Sequence, residues 1–500
     1  MAPVDRTDIV ERTDIVLHGD PHRVLCRLFI PGEEELIRGT SRARELVNRC
    51  MALTEEQVVA TLQQTLARFS SRHRYLESHL MEHFAAVAAL IDSAWDLSPA
   101  RKTLIGAYLT QEYAFESTAY FNPSLTIHPD QSGTRSGELR VIMSVRAVGE
   151  GHISSLVFRT GTLRPDGEVT IDPPSHFAST RATRFTALRS RILYQAAIEA
   201  GIDTADLQFI LGMLPDTFTP EELISRLNAL PHPTPVEDHR VLTDMLQSLS
   251  TSSYEVDFDH STDLSERVLW PTSTDERRGI EDARITRFTD DRGRVLYRAS
   301  YTGFDGSKVV SRILETEDFR AFTSMPLSGL AVRNKGVAFF PRLVKGDYLA
   351  LSRWDRESNS IAYSSDGYHW DDYVTYHVST EPWELIHVGN CGPPLETADG
   401  WLVLTHGAGP MRRYVISAVL LDLDDPTRVL AAYPGPLIEP QEDERSGYVP
   451  NVVYSCGGLI YRGTLVLPYG ISDCATRIAR IDVDALLGRM SPRRSRAELQ

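Results

Sequence analysis

The sequence predicts a mainly β protein: a five-bladed β-propeller with an N-terminal helical extension and a helical insertion between blades 1 and 2. A strand-opening pattern recurs, consisting of a proline or small residue, one further residue and then an apolar residue. Its last four copies are spaced by roughly 50–60 residues, a period typical of propeller blades. The pattern opens at Asn122-Pro123, Asp282-Ala283, Phe340-Pro341, Gly392-Pro393 and Val449-Pro450.

A second apolar strand follows most copies after a turn that contains glycine or aspartate. Residues 346–351, 400–404 and 463–467 are examples of such a turn and strand. Four strands per repeat and five repeats make five blades around a central channel. A β-sandwich requires no such regular period, so we rank that fold well behind the propeller.

Two other parts of the chain have the apolar spacing of helices. Residues 1–115 form the predicted helical extension, in which Thr54 and Gln57 fit a capping box before a periodic apolar run. Helical spacing returns at about 180–255, which predicts the insertion. The propeller is therefore expected over residues 116–490, and a basic C-terminal tail over 491–500.

Composition narrows the range of partners. The 500 residues exceed one ordinary core, and the net charge of −16 argues against nucleic acid or an anionic membrane as the main partner. No stretch approaches the apolar length of a membrane span. The five cysteines are scattered, without metal-ligand spacing, and no nucleotide-binding glycine motif is present. We therefore expect a cytoplasmic protein with no metal and no cofactor.

The stretch 279–286 places two adjacent carboxylates, Glu281 and Asp282, between a glycine and Arg284. Neighbouring side chains of a regular strand point to opposite faces, so we expect that the two carboxylates do not share one cleft. Arg284 lies on the same face as Asp282 and is expected to orient that carboxylate. The alternative interpretation is a solvated acidic pair in a turn.

The first strand of each propeller blade lines the central channel, so polar groups near the repeat openings are expected to converge. Arginine, lysine and histidine are frequent among them, and such a group can bind an anion such as phosphate. The alternative is a set of blade-to-blade salt bridges on a solvated face. The converging residues are Asn122, Arg146, Glu281, Asp282, Arg284, Asn334, Lys335, Arg353, His406, Arg412, Arg413 and Asp473.

Several motifs, taken together and in order, resemble glycoside hydrolase family 130, which comprises β-mannoside phosphorylases and β-mannosidases on five-bladed propellers. The resemblance runs from about 121 to 487, broken by the helical insertion. Ala283 stands where the family usually has proline, and Gly336 where it usually has aspartate. The motifs are Glu281-Asp282-Ala283-Arg284, Asn334-Lys335 with Phe340-Pro341, Trp401 with His406-Gly407, Leu420-Leu421-Asp422-Leu423 with Asp425-Pro426, Val449-Pro450-Asn451-Val452-Val453, and Tyr469-Gly470 with Asp473.

This resemblance implies an inverting phosphorylase that cleaves β-1,2- or β-1,4-linked manno-oligosaccharides with inorganic phosphate to give α-mannose 1-phosphate. Asp282 would be the general acid, acting through a mannosyl hydroxyl. The implied substrate-binding residues are Asn122, Arg146, Glu281, Arg284, Asn334 and Asp473, and the implied phosphate-binding residues are Lys335, Arg353, His406, Arg413 and Tyr414.

Two other functions remain open at this point. An inverting β-mannosidase on the same fold would need a second carboxylate to activate water, and Glu150 or Glu444 are candidates for that base. A non-catalytic sugar-binding propeller is the other alternative, against which the intact Glu281, Asp282 and Arg284 argue. The helical additions are also a candidate interface for a homo-oligomer.

Overall fold

The structure is a computed structural model of a mainly β protein. It describes residues 9–31, 42–88, 96–181, 183–186, 188–190, 212–228 and 250–492, together with separate positions at 193, 194, 197, 208 and 246. No helix within these ranges is long and apolar enough to cross a membrane.

Four of the six helices in the described ranges lie together, between the second and third strands. The helices α1 to α6 span Arg42–Met51, Glu55–Phe69, Leu76–Val87, Pro99–Tyr108, Pro220–Asn228 and Val483–Gly488. Short 3-10 turns span Glu150–His152, Leu264–Glu266, Thr274–Glu276, Leu330–Val332, Pro410–Arg412 and Glu442–Glu444. The strands β1 to β28 span Val10–Leu17, Leu25–Leu28, Thr110–Tyr113, Ala119–Ile127, Leu139–Val148, Ser154–Leu163, Val169–Ile171, Thr183–Phe185, Leu188–Arg189, Thr217–Phe218, Tyr254–Asp257, Gly279–Thr289, Val295–Phe304, Val309–Thr316, Ala321–Pro326, Ala338–Phe339, Tyr348–Ser352, Asn359–Ser364, Asp372–His377, His387–Asn390, Leu395–Thr397, Gly400–Ala408, Tyr414–Leu421, Val429–Ala432, Val453–Tyr454, Leu459–Tyr461, Thr464–Ile471 and Ala475–Asp482.

Most strands fall into five antiparallel groups that follow the predicted repeats. Group 1 is β4–β7, group 2 is β12–β15, group 3 is β16–β19, group 4 is β20–β24 and group 5 is β25–β28. Groups 1 and 2 belong to one ten-stranded sheet, joined by a single parallel pair between Ser154 and Gly279. The described strands therefore confirm a mainly β fold, and the five-bladed propeller stays a prediction.

Each group shares a buried core with the next, and group 5 shares one with group 1. Alternating strand residues bury an apolar face on each side of a sheet, so a sheet with two neighbours fills two cores. Each core contains residues of two groups: Phe158 and Tyr301, Ile313 and Ala350, Leu351 and Val403, Leu404 and Leu467, and Val466 and Val141.

Strand β1 pairs antiparallel with β28, with Val10 opposite Ile481. It covers the outer edge of group 5 and so satisfies backbone groups that an open edge would leave unpaired. No apolar periodicity in residues 1–115 had indicated this strand. The beginning of the described chain is thus part of the last group of strands.

The predicted helical extension contains α1 to α4, and these pack around their own apolar clusters. The expected capping box at Thr54 and Gln57 opens α2. Buried Arg23 joins this region to Glu116 at 2.9 Å, just before group 1. Of the predicted insertion at about 180–255, the structure describes α5 and short strands, and most of its positions lie outside the described residues, as do 493–500 of the predicted tail.

Candidate active site

The site is built on two matching β-bulges, one in β4 and one in β12. Phe121 pairs with Arg146 and Ser124 with Ser144, so β4 has one extra residue between them. The same irregularity follows Glu281 in β12. A bulge re-aims side chains and needs an unusual backbone conformation. Asn122 and Asp282 supply it, with φ of 51° and 55°.

The two bulged residues meet each other. Asn122 Nδ2 donates a hydrogen bond of 2.7 Å to Asp282 Oδ1. A left-handed backbone is uncommon for residues other than glycine, and such strain collects at functional sites. The interior of the site is thus set by two strained strand openings from groups 1 and 2.

The expectation that Glu281 and Asp282 face different clefts is wrong. Arg146 donates to Glu281 Oε1 at 2.8 Å, and its other terminal nitrogen lies 3.5 Å from Asp282 Oδ1. Strand alternation holds only for regular backbone, and the bulge rotates Asp282 towards the side of Glu281. Both carboxylates therefore belong to one cluster around Arg146.

Arg284 is buried, but it holds the backbone rather than the carboxylate of Asp282. Its guanidinium donates to the Asp282 carbonyl at 3.3 Å and to the Tyr454 hydroxyl at 2.5 Å. Arg284 thus links the bulge of group 2 to β25 of group 5. Its charge still acts on Asp282 through space.

The environments of two aspartates push their pKa values apart. Burial opposes the ionisation of Asp282, but Arg146, Arg284, Lys335 and the hydrogen bond from Asn122 outweigh it and lower its pKa. Burial and the nearby Asp282 raise the pKa of Asp473 to about 6, against the opposing charge of Arg146. Asp282 is consequently ionised in the free protein at neutral pH, whereas Asp473 titrates near pH 6.

Lys335 extends this cluster of charges by one step. Its Nζ pairs with Glu281 Oε2, so a continuous series of ion pairs runs from Lys335 through Glu281 and Arg146 to Asp282. Asn334 belongs to a different set of contacts. Its Oδ1 accepts from Arg356 Nε at 3.0 Å, and its amide nitrogen donates to the Trp354 carbonyl.

His406 was expected to act as a cation, and that expectation is wrong. Burial, with Arg353, His387 and Arg284 nearby, holds the pKa of His406 well below its ordinary value, so its ring is neutral near pH 7. Its Nδ1–H donates to the Asn390 carbonyl at 3.1 Å, which leaves Nε2 to accept from Arg353 Nη1 at 3.0 Å. His406 therefore orients Arg353.

Arg353 itself is a half-buried cation with no ion-pair partner among the residues that the structure describes. Its Nε is buried and has no hydrogen-bond partner. Burial lowers the pKa of Arg353, in part against the effect of Tyr454. A desolvated and uncompensated positive charge is costly unless an anion joins it.

The remaining predicted residues lie around His406 or apart from the cluster. The Tyr414 ring stacks on the His406 ring with centroids 5.9 Å apart. Arg413 forms an ion pair with Glu439 at 2.7 Å, which ties it to group 4 outside the series of charges around Glu281. Arg412 is exposed, and its charge acts on Asp473.

Two pockets of similar size lie on either side of the Lys335–Glu281 pair. The first, of about 500 Å³, is lined by Phe121, Arg146, Glu281, His152, Arg278 and Tyr448, among others. The second, of about 520 Å³, is lined by Lys308, Arg333, Asn334, Lys335, Arg353 and Arg356, among others. We call them the aromatic pocket and the cationic pocket. The site thus has one side rich in rings and mixed charge, and one side rich in cations.

Sequence reasoning missed several residues that line these pockets. Tyr448 is 64% exposed, and its ring stacks on His152 with centroids 5.3 Å apart. The position of Tyr448, two residues before the Pro450-Asn451 repeat opening, was a usable signal. Arg278 had a similar signal, since it directly precedes Gly279. Arg333 and Arg356 flank predicted residues but belong to no repeat motif.

The two carboxylates considered as bases for hydrolysis are placed differently. Glu444 is buried, accepts a hydrogen bond of 2.6 Å from Tyr469 and pairs with Arg477 at 3.1 Å. Glu150 lies exposed in the turn before His152. Glu444 is therefore committed to the packing of group 5. Among the described residues, no group of three or more His, Cys, Asp or Glu side chains is arranged to hold a metal ion.

Comparison with known proteins identifies similar chains. The family model described as β-1,4-mannooligosaccharide phosphorylase matches residues 246–491. A 1,2-β-oligomannan phosphorylase of Thermoanaerobacter sp. (strain X514) is 32% identical over 236 residues, covering 44% of this chain and 74% of that protein. A β-1,2-mannobiose phosphorylase of Listeria innocua serovar 6a is 34% identical over 238 residues, covering 44% of this chain and 64% of that protein.

One solved structure is also similar. The Listeria innocua β-1,2-mannobiose phosphorylase in complex with β-1,2-mannobiose has a TM-score of 0.46 and 22% identity. The superposition covers 74% of this chain and 92% of that chain.

Proposed function

This chain belongs to glycoside hydrolase family 130, and on that premise we propose that it is an inverting phosphorylase of β-mannosides. It would cleave a β-1,2- or β-1,4-linked manno-oligosaccharide with inorganic phosphate, releasing α-mannose 1-phosphate and a shortened acceptor. In this proposal inorganic phosphate is the co-substrate and no cofactor takes part. The five groups of strands would be the five blades, which their successive shared cores support.

The observation that carries this function is the uncompensated cation Arg353. It is half-buried, lacks an ion-pair partner among the described residues and is oriented by neutral His406 at 3.0 Å. Lys335 lines the same pocket. Arginine binds phosphate through two parallel charge-assisted hydrogen bonds, so phosphate at Arg353 and Lys335 would offset the cost of the buried charge.

Asp282 would be the general acid, positioned by Asn122 and Arg146. Its proton would pass through a mannosyl hydroxyl to the leaving oxygen, while a phosphate oxygen forms the new bond to the anomeric carbon from the opposite face. The low pKa of Asp282 in the free protein opposes this role. Bound phosphate would offset Lys335, one of the groups that lower this pKa, and would so favour the protonated acid.

Phosphate is already anionic and needs no base to activate it. A hydrolase would need one, with the two carboxyl groups about 6.5–9.5 Å apart. Glu444 is engaged with Tyr469 and Arg477, which argues against one of the two candidate bases and to that extent supports phosphorolysis.

Product analysis tests this proposal. Purified protein would be incubated with β-1,2- and β-1,4-mannobiose, with and without inorganic phosphate, and products separated by chromatography. Mannose 1-phosphate that forms only with phosphate is the expected result. Free mannose at the same rate without phosphate would contradict it and would identify a hydrolase.

Two further properties belong to the same proposal. The described cysteines are all unpaired, which suits a cytoplasmic location. The helical additions would form an interface between copies of the chain. Light scattering of the full chain would give its oligomeric state, and a monomer at micromolar concentration would contradict that interface.

A further inference from the structure

The cationic pocket carries more positive charge than one phosphate ion requires. Five of its lining residues are cations: Lys308, Arg333, Lys335, Arg353 and Arg356. Among the described residues that line it, none carries a carboxylate. This concentration stands out in a chain whose net charge is −16. Lys335 is paired with Glu281, and without an anion the other four cations around the pocket repel one another.

The pocket is also larger than one phosphate ion. A water molecule takes about 30 Å³ of liquid, so an ion of five heavy atoms occupies on the order of 100 Å³. The pocket has about 520 Å³. An anion bound at Lys335 and Arg353 would therefore leave most of the pocket open on the side of the other three cations.

These five cations form two tiers. Lys335 and Arg353 are half-buried and contact Glu281 and His406, whereas Lys308, Arg333 and Arg356 are exposed. None of the three outer cations forms an ion pair with a carboxylate in the described parts of the chain. The three side chains of the outer tier therefore form no salt bridges between the described groups of strands, and they are available to a ligand.

Backbone conformation and nearby hydrogen bonds position two residues of the outer tier, Arg356 and Lys308. Arg356 has a φ of 71°, a left-handed conformation that is uncommon for arginine, and its Nε donates to Asn334 Oδ1. Lys308 follows a turn in which Asp305 Oδ1 accepts from the backbone nitrogens of Ser307 and Lys308, both at 2.7 Å. Asn334, predicted to bind substrate, thus positions an arginine of the outer tier.

We propose that the cationic pocket binds an anion with two linked phosphoryl groups, of the diphosphate class, with one group at Lys335 and Arg353 and the other at Lys308, Arg333 and Arg356. This inference rests on the proposed function, because the inner group occupies the proposed phosphate site. A linked anion meets both tiers at once and neutralises more of the five charges than orthophosphate does. It would compete with phosphate for the inner tier.

Titration calorimetry of the full chain in magnesium-free buffer tests the proposal, with inorganic pyrophosphate and orthophosphate as probes. Pyrophosphate is expected to bind at least about tenfold more tightly, since its second phosphoryl group adds charge-assisted contacts to the outer tier. The double variant Lys308→Gln/Arg333→Gln should reduce the ratio of the two affinities at least fivefold. Arg292→Gln, an exposed arginine in the turn between β12 and β13, should leave the ratio unchanged.

Two results would overturn the proposal. One is pyrophosphate binding no tighter than orthophosphate in the unaltered protein. The other is an equal loss of both affinities in the double variant, which would make the five cations one site for a single phosphate. Failure of the proposed function is separate, because it appears as mannoside cleavage that does not depend on phosphate.

Discussion

The aromatic pocket and the cationic pocket have nearly the same volume, about 500 and 520 Å³. An ion pair joins their linings, since Glu281 lines the first pocket and Lys335 the second. The first pocket contains rings as well as both signs of charge. In the second, all charged lining residues among those described are cations.

The two pockets differ in charge and aromatic surface and not in volume, and under the proposed function that difference would separate the two ligands. A sugar ring presents hydroxyls and apolar faces, which suit Tyr448, Phe121 and Arg146. An anion needs donors whose charge is uncompensated, as at Arg353. In the proposed function the Glu281–Lys335 ion pair would bring both ligands near Asp282, because Glu281 and Asp282 both contact Arg146.

Removal of the proposed general acid should have the greatest effect on activity. Asp282→Asn should lower the rate of mannose 1-phosphate formation by on the order of 10³, since it removes a general acid. The fold should be retained, because an amide can keep the place of the carboxylate beside Asn122. Initial rates with β-mannobiose and phosphate measure the loss, with circular dichroism as the control for folding. Near-normal activity would remove Asp282 from the site.

The next effect is confined to the cationic pocket. Arg353→Met removes the uncompensated charge, so the KM for phosphate should rise about 10–100-fold, the loss of a charge-assisted contact of 1.5–3 kcal/mol. The KM for the mannoside should change much less. Steady-state kinetics with each substrate varied in turn separates the two values. Arg292→Met is the control, since Arg292 is an exposed arginine in the turn between β12 and β13. An equal rise in both KM values for Arg353→Met would contradict a separate anion pocket.

A pH-dependent effect tests the electrostatics of the cluster. Burial beside Asp282 raises the pKa of Asp473 to about 6, above about 3.9 for an exposed aspartate. The folded protein therefore holds a proton that the unfolded chain releases, and its stability falls as pH rises from about 4 to 6. Asp473→Asn removes this pH-dependent loss of stability. The free energy of unfolding should therefore rise by about 2 kcal/mol more at pH 8 than at pH 4, after allowance for partial exposure. Urea unfolding at both pH values measures it. An equal change in the free energy of unfolding at pH 4 and pH 8 would show that the pKa of Asp473 is not raised.

A smaller effect is expected for the aromatic pocket. Tyr448→Ala removes an exposed ring that stacks on His152 beside the pocket, and should raise the KM for manno-oligosaccharide about 3–10-fold, or about 1 kcal/mol. The KM for phosphate should not change. Tyr75→Ala, which alters an exposed tyrosine in the helical region, is the control. A larger effect on phosphate than on the sugar would reverse the assignment of the two pockets.

Several parts of the fold follow directly from residue order. Apolar periodicity and repeated turn signals are local, so they locate strands in groups and place α1 to α4 before them. The capping box at Thr54 is equally local and is present. Strand β1 could not be predicted in this way, because its partner β28 is more than 450 residues away and residues 1–115 otherwise have helical spacing.

For the candidate site as well, residue order predicts some features and tertiary contacts determine the others. Residue order alone places these residue types at the repeat openings and so predicts the cluster of Asn122, Glu281 and Asp282 with nearby cations. Their contacts and charge states depend on the folded chain. The bulges at Asn122 and Asp282 turn side chains that a regular strand would separate. Burial beside Arg353 and Arg284 keeps His406 neutral, while Arg353 has no counter-charge among the described residues. Backbone irregularity and charge burial depend on neighbours from other strands, and residue order alone does not contain them.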